Sequence, residues 1–533
     1  MNTIGRRLFS LTVLFVVFMG VWAGFCSAEE TGKQGFEIKA FEVIGNSLFT
    51  DDQVRAAVIL FTGPDRTAAD VEKARDSLEK KYHDAGYPAV MVNIPEQTLQ
   101  DGIVKLQVIE SRIGRVKVTG NRYFTMEKVR RDLPSLAPGM ILYLPRVQQE
   151  ISQLNRSQDF KVEPVMSPAR EVGTIDVELK VQDQLPLHGY LELNNRATYD
   201  TTPLRLNAVI HYDNLWQREH SLSLQYQTSP QDTRQVEVAN VSYVLPAPWE
   251  KNDQWALYAI WSDSATAFGE GFTVIGKGKI FGTRYVTLLP EYRLYTHNFT
   301  LGIDYKQFDQ AVGYTTANGQ TTHTPISYMP FSFSYSASLP DEWGGMTVFN
   351  LGENMSFRGV VSQESEFELK RYKGTADYAY TTAAIQRTQK LPRGMNLFVK
   401  VDGQVTQQPL INNEQYIAGG MESVRGYKES EASGDEAVHT TIEISFPDPL
   451  EHSGIGKGFH MTPFLFYDMA KLTVLDALPG TEGNIKLEGA GLGMRGTMAK
   501  NLEYELDGAK ALDATDQTKS NDLRIYFKLR AVF

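Results

Sequence analysis

The chain has 533 residues, 42% of them hydrophobic, a mean hydropathy of −0.30 and a net charge of −11. An acidic balance argues against nucleic acid as a partner, because phosphate binding depends on clustered Lys and Arg. The single cysteine, Cys26, excludes a disulfide framework. Beyond the first 28 residues no apolar run reaches the ~20 residues of a spanning helix, so a membrane role is open only to a barrel, whose strands are half apolar.

At the amino terminus Arg6 and Arg7 precede an apolar run from Leu8 to Phe25 and the small residues Cys26-Ser27-Ala28. This is the pattern of a secretory signal peptide, residues 1–28, cleaved after Ala28; an uncleaved anchor is the alternative. Cys26 and both arginines leave with the leader, so the mature chain is expected to be cysteine-free and more acidic. A short segment, residues 29–35, comes before the first structured element.

The next stretch repeats itself. Phe41-Glu-Val-Ile-Gly45-Asn46-Ser-Leu-Phe49-Thr50 is matched by Val116-Lys-Val-Thr-Gly120-Asn121-Arg-Tyr-Phe124-Thr125, and Val54 by Val129. A constant interval of roughly 75 residues indicates a duplicated structural unit. In each unit a strand ends at Gly-Asn, a turn pair. Thr50 or Thr125 then caps a helix, and Thr50 with Gln53 makes a capping box. A second helix follows, carrying Val71, Ala74, Leu78 and Tyr82 in the first unit and Val147, Ile151 and Leu154 in the second; Gly86 ends the first of these. Alternating strands close each unit, through Val104, Leu106 and Val108 and through Ile175, Val177, Leu179 and Val181.

This order resembles the POTRA domain, a periplasmic substrate-docking module. Gly86-Tyr87, Ile94-Pro95-Glu96-Gln97 and Val108-Ile109-Glu110 look like the first POTRA domain of two-partner secretion transporters, the hemolysin secretion/activation family. Asp132-Leu133-Pro134, Pro138-Gly139 and Leu154-Asn155-Arg156 look like the second. The expected domains are residues 36–110 and 111–183. Some family members carry a pore-plugging helix ahead of the first domain; with only Glu29 to Gly35 between the expected cleavage site and Phe36, none is expected here.

From Leu187 to Phe533 the helical pattern gives way to short alternating stretches between polar turns, the signature of strands. In the last stretch Leu523, Ile525, Phe527, Leu529, Ala531 and Phe533 share one parity, while Arg524, Tyr526, Lys528 and Arg530 share the other. A cation facing lipid at mid-depth costs ~2–4 kcal/mol, so three of them belong in a wet lumen. The fold predicted is an all-β transmembrane barrel of about sixteen antiparallel strands over residues 187–533, preceded by two small α+β POTRA domains. The predicted strands include 187–194, 284–293, 297–308, 325–337, 374–388, 394–405, 436–446, 459–469, 486–497, 501–510 and 522–533. A soluble β-sandwich is the rival. The terminal Phe533 resembles the assembly signal of outer-membrane barrels.

A long loop follows the eleventh predicted strand. It contains Gly419-Gly420 and then Val424, Arg425, Gly426 and Tyr427. This resembles the loop that folds into the lumen across the barrel-assembly and two-partner secretion superfamily. Phe464, Phe466 and Asp468, two strands on, resemble its partner motif on the barrel wall, although Met469-Ala470 stand where a glycine often follows the aspartate. A permanently charged guanidinium inside a barrel needs an anionic partner, and its planar fork matches a carboxylate. Phe464 and Phe466 share the parity of Asp468 and can offer it ring faces. A solvated surface arginine is the plainer alternative.

No catalytic constellation is legible. The nine histidines are scattered from His83 to His460 without metal spacing, and no nucleophile elbow or phosphate loop is present. No catalytic residue, metal ligand or cofactor is therefore expected. The resemblance implies an outer-membrane translocator that recognises an unfolded exoprotein in the periplasm through its POTRA domains and threads it to the cell surface. The implied partners are that exoprotein, large and β-helical, together with outer-membrane lipid and, during biogenesis, the barrel-assembly machinery. The alternatives are an outer-membrane assembly or insertion factor, a passive porin and a barrel enzyme.

Overall fold

The computed structural model describes residues 35–533, apart from 200, 250–252, 265, 270–271, 276, 313–321 and 451–457. The expected signal peptide, residues 1–28, and most of the short segment after it lie outside the described residues. The two front modules share one plan. In the first, the sheet order is Ala40–Ile44, Ile103–Glu110, Val90–Asn93, with the first pair parallel and the second antiparallel. In the second, the order is Arg112–Thr119, Thr174–Asp183, Phe160–Pro168, and again the first pair is parallel.

The repeated residues have repeated jobs. Gly45 and Gly120 take φ of +88° and +83°, and a Cβ on either would collide with the carbonyl of Val108 or Val181 on the adjacent strand. Glycine is thus required twice over, by conformation and by approach. Asn46 and Asn121 then donate from Nδ2 to the carbonyls of Phe49 and Phe124, at 2.8 and 2.9 Å. Thr50 and Gln53 form the reciprocal cap of the helix Asp51–Val58, and Thr125 Oγ1 accepts from the Lys128 amide at 3.2 Å. In the helix Ala68–Asp84 the buried side chains are Val71, Ala74, Leu78 and Tyr82, one stripe at helical spacing. The sequence pattern does not announce the small ribbon pairing Phe36–Ile38 with Gly63–Arg66. It is equally silent on the carboxylates that close each turn: Glu110 accepts from the amides of Ser47 and Leu48, and Asp183 from those of Arg122, Tyr123 and Phe124.

The remaining chain forms a closed antiparallel barrel. Leu187–Asn194 pairs with Arg205–Leu215 on one side and with the last strand, Leu523–Val532, on the other. Sixteen strands result among the described residues, with Thr322–Tyr328 and Phe331–Pro340 as two pieces of the eighth. Both pieces pair with Thr296–Val312, and the break falls at Met329-Pro330, where proline offers no ladder donor. Most strand boundaries differ from the sequence reading by a few residues, and the sixth departs furthest. The sixth strand is Gly278–Leu288; the predicted 284–293 ran through Pro290, which ends it. The tenth begins at Tyr378 and not at 374, and the stretch between the ninth and tenth strands holds a short helix, Glu364–Lys370.

The last strand follows its parity. Leu523 and Ile525 are 81% and 67% exposed on the outside. Inside, Lys528 meets Glu505 at 2.5 Å and Arg530 meets Glu192 at 2.7 Å, each directly across from its partner in the ladder. Phe533 exchanges both main-chain hydrogen bonds with Gly189, at 3.0 Å each, next to the closing seam.

Candidate functional site

The site is built by a loop that enters the barrel. The loop leaves the eleventh strand, Asn396–Thr406, and returns at the twelfth, Glu436–Ser445. Its sides pair as a hairpin, Tyr416–Ala418 against Ala432–Gly434. Two buried carboxylates hold its base. Glu414 accepts from Lys306 Nζ at 2.6 Å, Tyr328 Oη at 2.6 Å and Tyr380 Oη at 2.8 Å, all on the barrel wall. Asp435 accepts from the amides of Leu410 and Leu475 and from the side chains of Gln415 and Arg371. Beside this base, Phe367 of the short helix packs with Phe308, Tyr328, Tyr378, Leu410 and Ile411 in an apolar cluster inside the barrel.

At the inner end of the loop, Val424, Arg425, Gly426 and Tyr427 are all tied down. Val424 is fully buried and its carbonyl accepts from the Gly420 amide at 3.1 Å. Gly426 has φ of +110°, and its amide donates to Tyr526 Oη at 2.8 Å. Tyr526 donates in turn to the Tyr427 carbonyl. The Tyr427 hydroxyl, with one proton to donate, stands 3.0 and 2.8 Å from the carbonyls of Glu488 and Asp513 and accepts from the amides of both residues. The backbone is thereby fixed on either side of the arginine.

Arg425 itself is 5% exposed. Its Nε donates to Asp468 Oδ2 at 2.7 Å and its Nη2 to Asp468 Oδ1 at 3.0 Å, while its own amide reaches Oδ2 at 3.1 Å. The guanidinium carbon stands 3.4 Å from the centroid of the Phe466 ring and 5.9 Å from that of Phe464. The aromatic faces and the bidentate carboxylate therefore act on one group, the geometry in which a desolvated arginine is best compensated. Burial alone would lower the arginine's pKa; Asp468, with Asp507 and Glu443 beyond it, outweighs burial and raises it. Met469-Ala470 after the aspartate does not disturb this seat.

Ladder register explains how the loop fits against the wall. Phe464, Phe466 and Asp468 lie on Phe459–Thr473, opposite Gly493, Gly491 and Gly489 of the next strand, Asn484–Met498. On that side every residue facing the motif is thus glycine, whereas on the other ladder Asp468, Phe466 and Phe464 face Thr441, Glu443 and Ser445. A Cβ at 489 would collide with the Arg425 carbonyl, and Cβ atoms at 491 and 493 would strike the rings of Phe466 and Phe464. The sequence reading did not single out this bare strip, nor Glu443, Asp507, Arg495 and Tyr526 around it. Glu443 lies 3.6 Å and Asp507 3.8 Å from Arg425 Nη1, while Arg495 pairs with Glu443 and stands over Phe464. The signal for them was parity: Glu443 alternates with the outward Ile442 and Ile444, and Glu503, Glu505 and Asp507 share one face of their strand.

The comparisons with known proteins agree with this architecture. Residues 36–111 match the family model for a POTRA domain of ShlB type, and residues 173–496 match that of the haemolysin secretion/activation protein ShlB/FhaC/HecB. The chain is 23% identical over 378 residues to the outer membrane transporter CdiB of Dickeya dadantii, covering 68% of this chain and 64% of that protein, a little under two thirds of its length. It is 19% identical over 495 residues to the heme/hemopexin transporter protein HuxB of Haemophilus influenzae, covering 90% and 85%. The solved structure of CdiB from Escherichia coli superposes with a TM-score of 0.62 at 17% identity, over 96% of this chain and 93% of the other. With the family model spanning more than half of its length, and with an outer-membrane barrel behind periplasmic POTRA domains, the chain belongs to the haemolysin secretion/activation family of outer-membrane transporters.

Proposed function

We propose that the protein moves an unfolded exoprotein from the periplasm to the cell surface. Residues 36–110 and 111–183 act as two receiving modules, and residues 187–533 as the conduit. The observation that carries this reading is the lumenal loop: an Arg425 held on Asp468 inside the barrel wall suits a conduit closed by a movable part, which a passive porin does not need. Each front module has edge strands, and an extended chain added to such an edge gains main-chain hydrogen bonds with little demand on its side chains. That mode suits a long repetitive cargo met before it folds, such as a β-helical protein. Cargo folding outside supplies direction without a nucleotide, and the reading assigns the protein no catalysis. Phe533 serves recognition by the barrel-assembly machinery.

The test uses purified residues 29–186 and the N-terminal region of the exoprotein. Binding of the unfolded region is expected at about micromolar affinity, as for a transient interface, with none for the folded region. Equal affinity for both forms would overturn edge-strand capture.

A further inference from the structure

Three carboxylates converge on Arg425, and they are not equivalent. Asp468 holds Nε and Nη2. Glu443 is satisfied by Arg495, which reaches both of its oxygens. Asp507 is fully buried, yet neither of its oxygens accepts a hydrogen bond from the described residues. Burying a carboxylate without a donor is costly, and native structures leave few such groups. The cation beside it is Arg425, whose Nη1, the one terminal nitrogen not engaged by Asp468, stands 3.8 Å from Asp507 Oδ2 and 3.6 Å from Glu443 Oε2.

The wall between the two aspartates is cleared. Asp468 faces Gly489, and Gly493 faces both Phe464 and Asp507 across its two ladders. Residue 493 can carry no Cβ, because one would collide with the Asp507 carboxylate itself. No side chain of the intervening strand therefore separates Asp468 from Asp507 along this strip. Closing 3.8 Å to hydrogen-bond length takes a shift of about 1 Å, small enough for the guanidinium to keep its place on the Phe466 ring.

We propose that Asp507 is a second seat for Arg425, so that the lumenal loop has two docked positions. In the position seen, Arg425 is bidentate on Asp468 and Asp507 bears an uncompensated desolvation. In the other, Nη1 engages Asp507 while the grip on Asp468 loosens. A cost carried in one position and relieved in the other brings the two close in free energy, as a releasable latch requires. Asp507 is in this sense a positioning residue. The inference rests on the reading of the loop as the part that closes the conduit.

The experiment records single-channel openings of the full-length protein in planar bilayers without cargo, for wild type, Asp468→Asn, Asp507→Asn and the double variant. Heat-modifiable migration confirms that each barrel is folded. With two seats, Asp468→Asn leaves the loop held at Asp507, so open time rises only a few-fold. Adding Asp507→Asn to it raises open time by about a further tenfold, the change that one lost contact of this kind makes in a two-state population. Asp507→Asn alone leaves open time unchanged or lower, because the loop then rests on Asp468. Asp507→Leu, which removes the buried charge while keeping bulk, is expected to repeat this pattern if the asparagine variant does not fold. An effect of Asp507→Asn that is equally small in both backgrounds would overturn the second seat. Secretion is scored on the same alleles: synergy in conductance with unchanged secretion counts against the transport reading and leaves the seat standing.

Discussion

Replacing Arg425 by alanine strips Asp468 of both side-chain donors and leaves it only the amide of residue 425. At a charge separation of ~4 Å and an effective dielectric near 20, the pair's Coulomb term is about 4 kcal/mol. Desolvation of both groups takes back much of it, so a net coupling of about 1–3 kcal/mol is expected. Because 1.4 kcal/mol shifts a population about tenfold, that coupling is enough to choose between loop positions without being needed to hold the barrel together. Arg425→Ala and Asp468→Ala should each give an inserted barrel with strongly reduced secretion. The double variant should be no worse than the worse single one, since the second change removes a partner already lost. Arg425→Lys should rescue poorly: one ammonium cannot reproduce two parallel bonds, nor lie flat on Phe466 at 3.4 Å. The assay is secretion per folded barrel across the alleles. Full additivity of the two alanine defects would show that the residues act separately, and the latch would have to be abandoned.

Phe533→Ser should lower the amount of barrel in the outer membrane while secretion per surviving barrel stays normal. The main-chain pair with Gly189 survives the change and only the aromatic end is lost; unchanged abundance, read by immunoblot of outer-membrane fractions, would contradict the assembly role. In the front modules, Gly45→Ala should destabilise the fragment 29–186 more than Thr50→Ala does. The first forces a Cβ into the Val108 carbonyl at positive φ, at a cost of about 1–3 kcal/mol or more. The second loses one cap, worth about 1 kcal/mol. Thermal unfolding of the fragment orders the two, and a reversed order would refute the role given to Gly45.

Much of the architecture was legible because it depends on local periodicity. Period-two alternation fixed which face of the last strand met lipid, and Arg530 and Lys528 are found inside against Glu192 and Glu505. The duplicated Gly-Asn turns were legible because backbone geometry restricts the residue allowed there. The boundary that slipped furthest did so where a proline was read through, at Pro290, and the helix around Phe367, between two strands, was not foreseen. No local pattern could have put the loop inside the barrel. Val424 to Tyr427 would read the same on a surface turn, and only the resemblance tied them to Asp468.

The strip of Gly489, Gly491 and Gly493 marks the deeper limit. Read along the chain, it is a glycine-poisoned strand, weaker than its neighbours and without a side chain to pack. Read across the ladder, the same three residues lie opposite Asp468, Phe466 and Phe464, and their emptiness gives the loop backbone a place to lie, with the Arg425 carbonyl over Gly489. What decides the meaning is register, which pairs residues far apart in sequence and which a single alternating strand does not encode beyond its parity. The same holds for Asp507. Its parity, shared with Glu503 and Glu505, was a signal left unused, and only its position across from Gly493 brings it near Nη1 of Arg425. An arginine seat assembled from neighbouring strands and one distant loop is therefore written in pairings: one-strand reading finds Arg425 and Asp468 but neither Asp507 nor the facing glycines, and leaves their partnership to the fold.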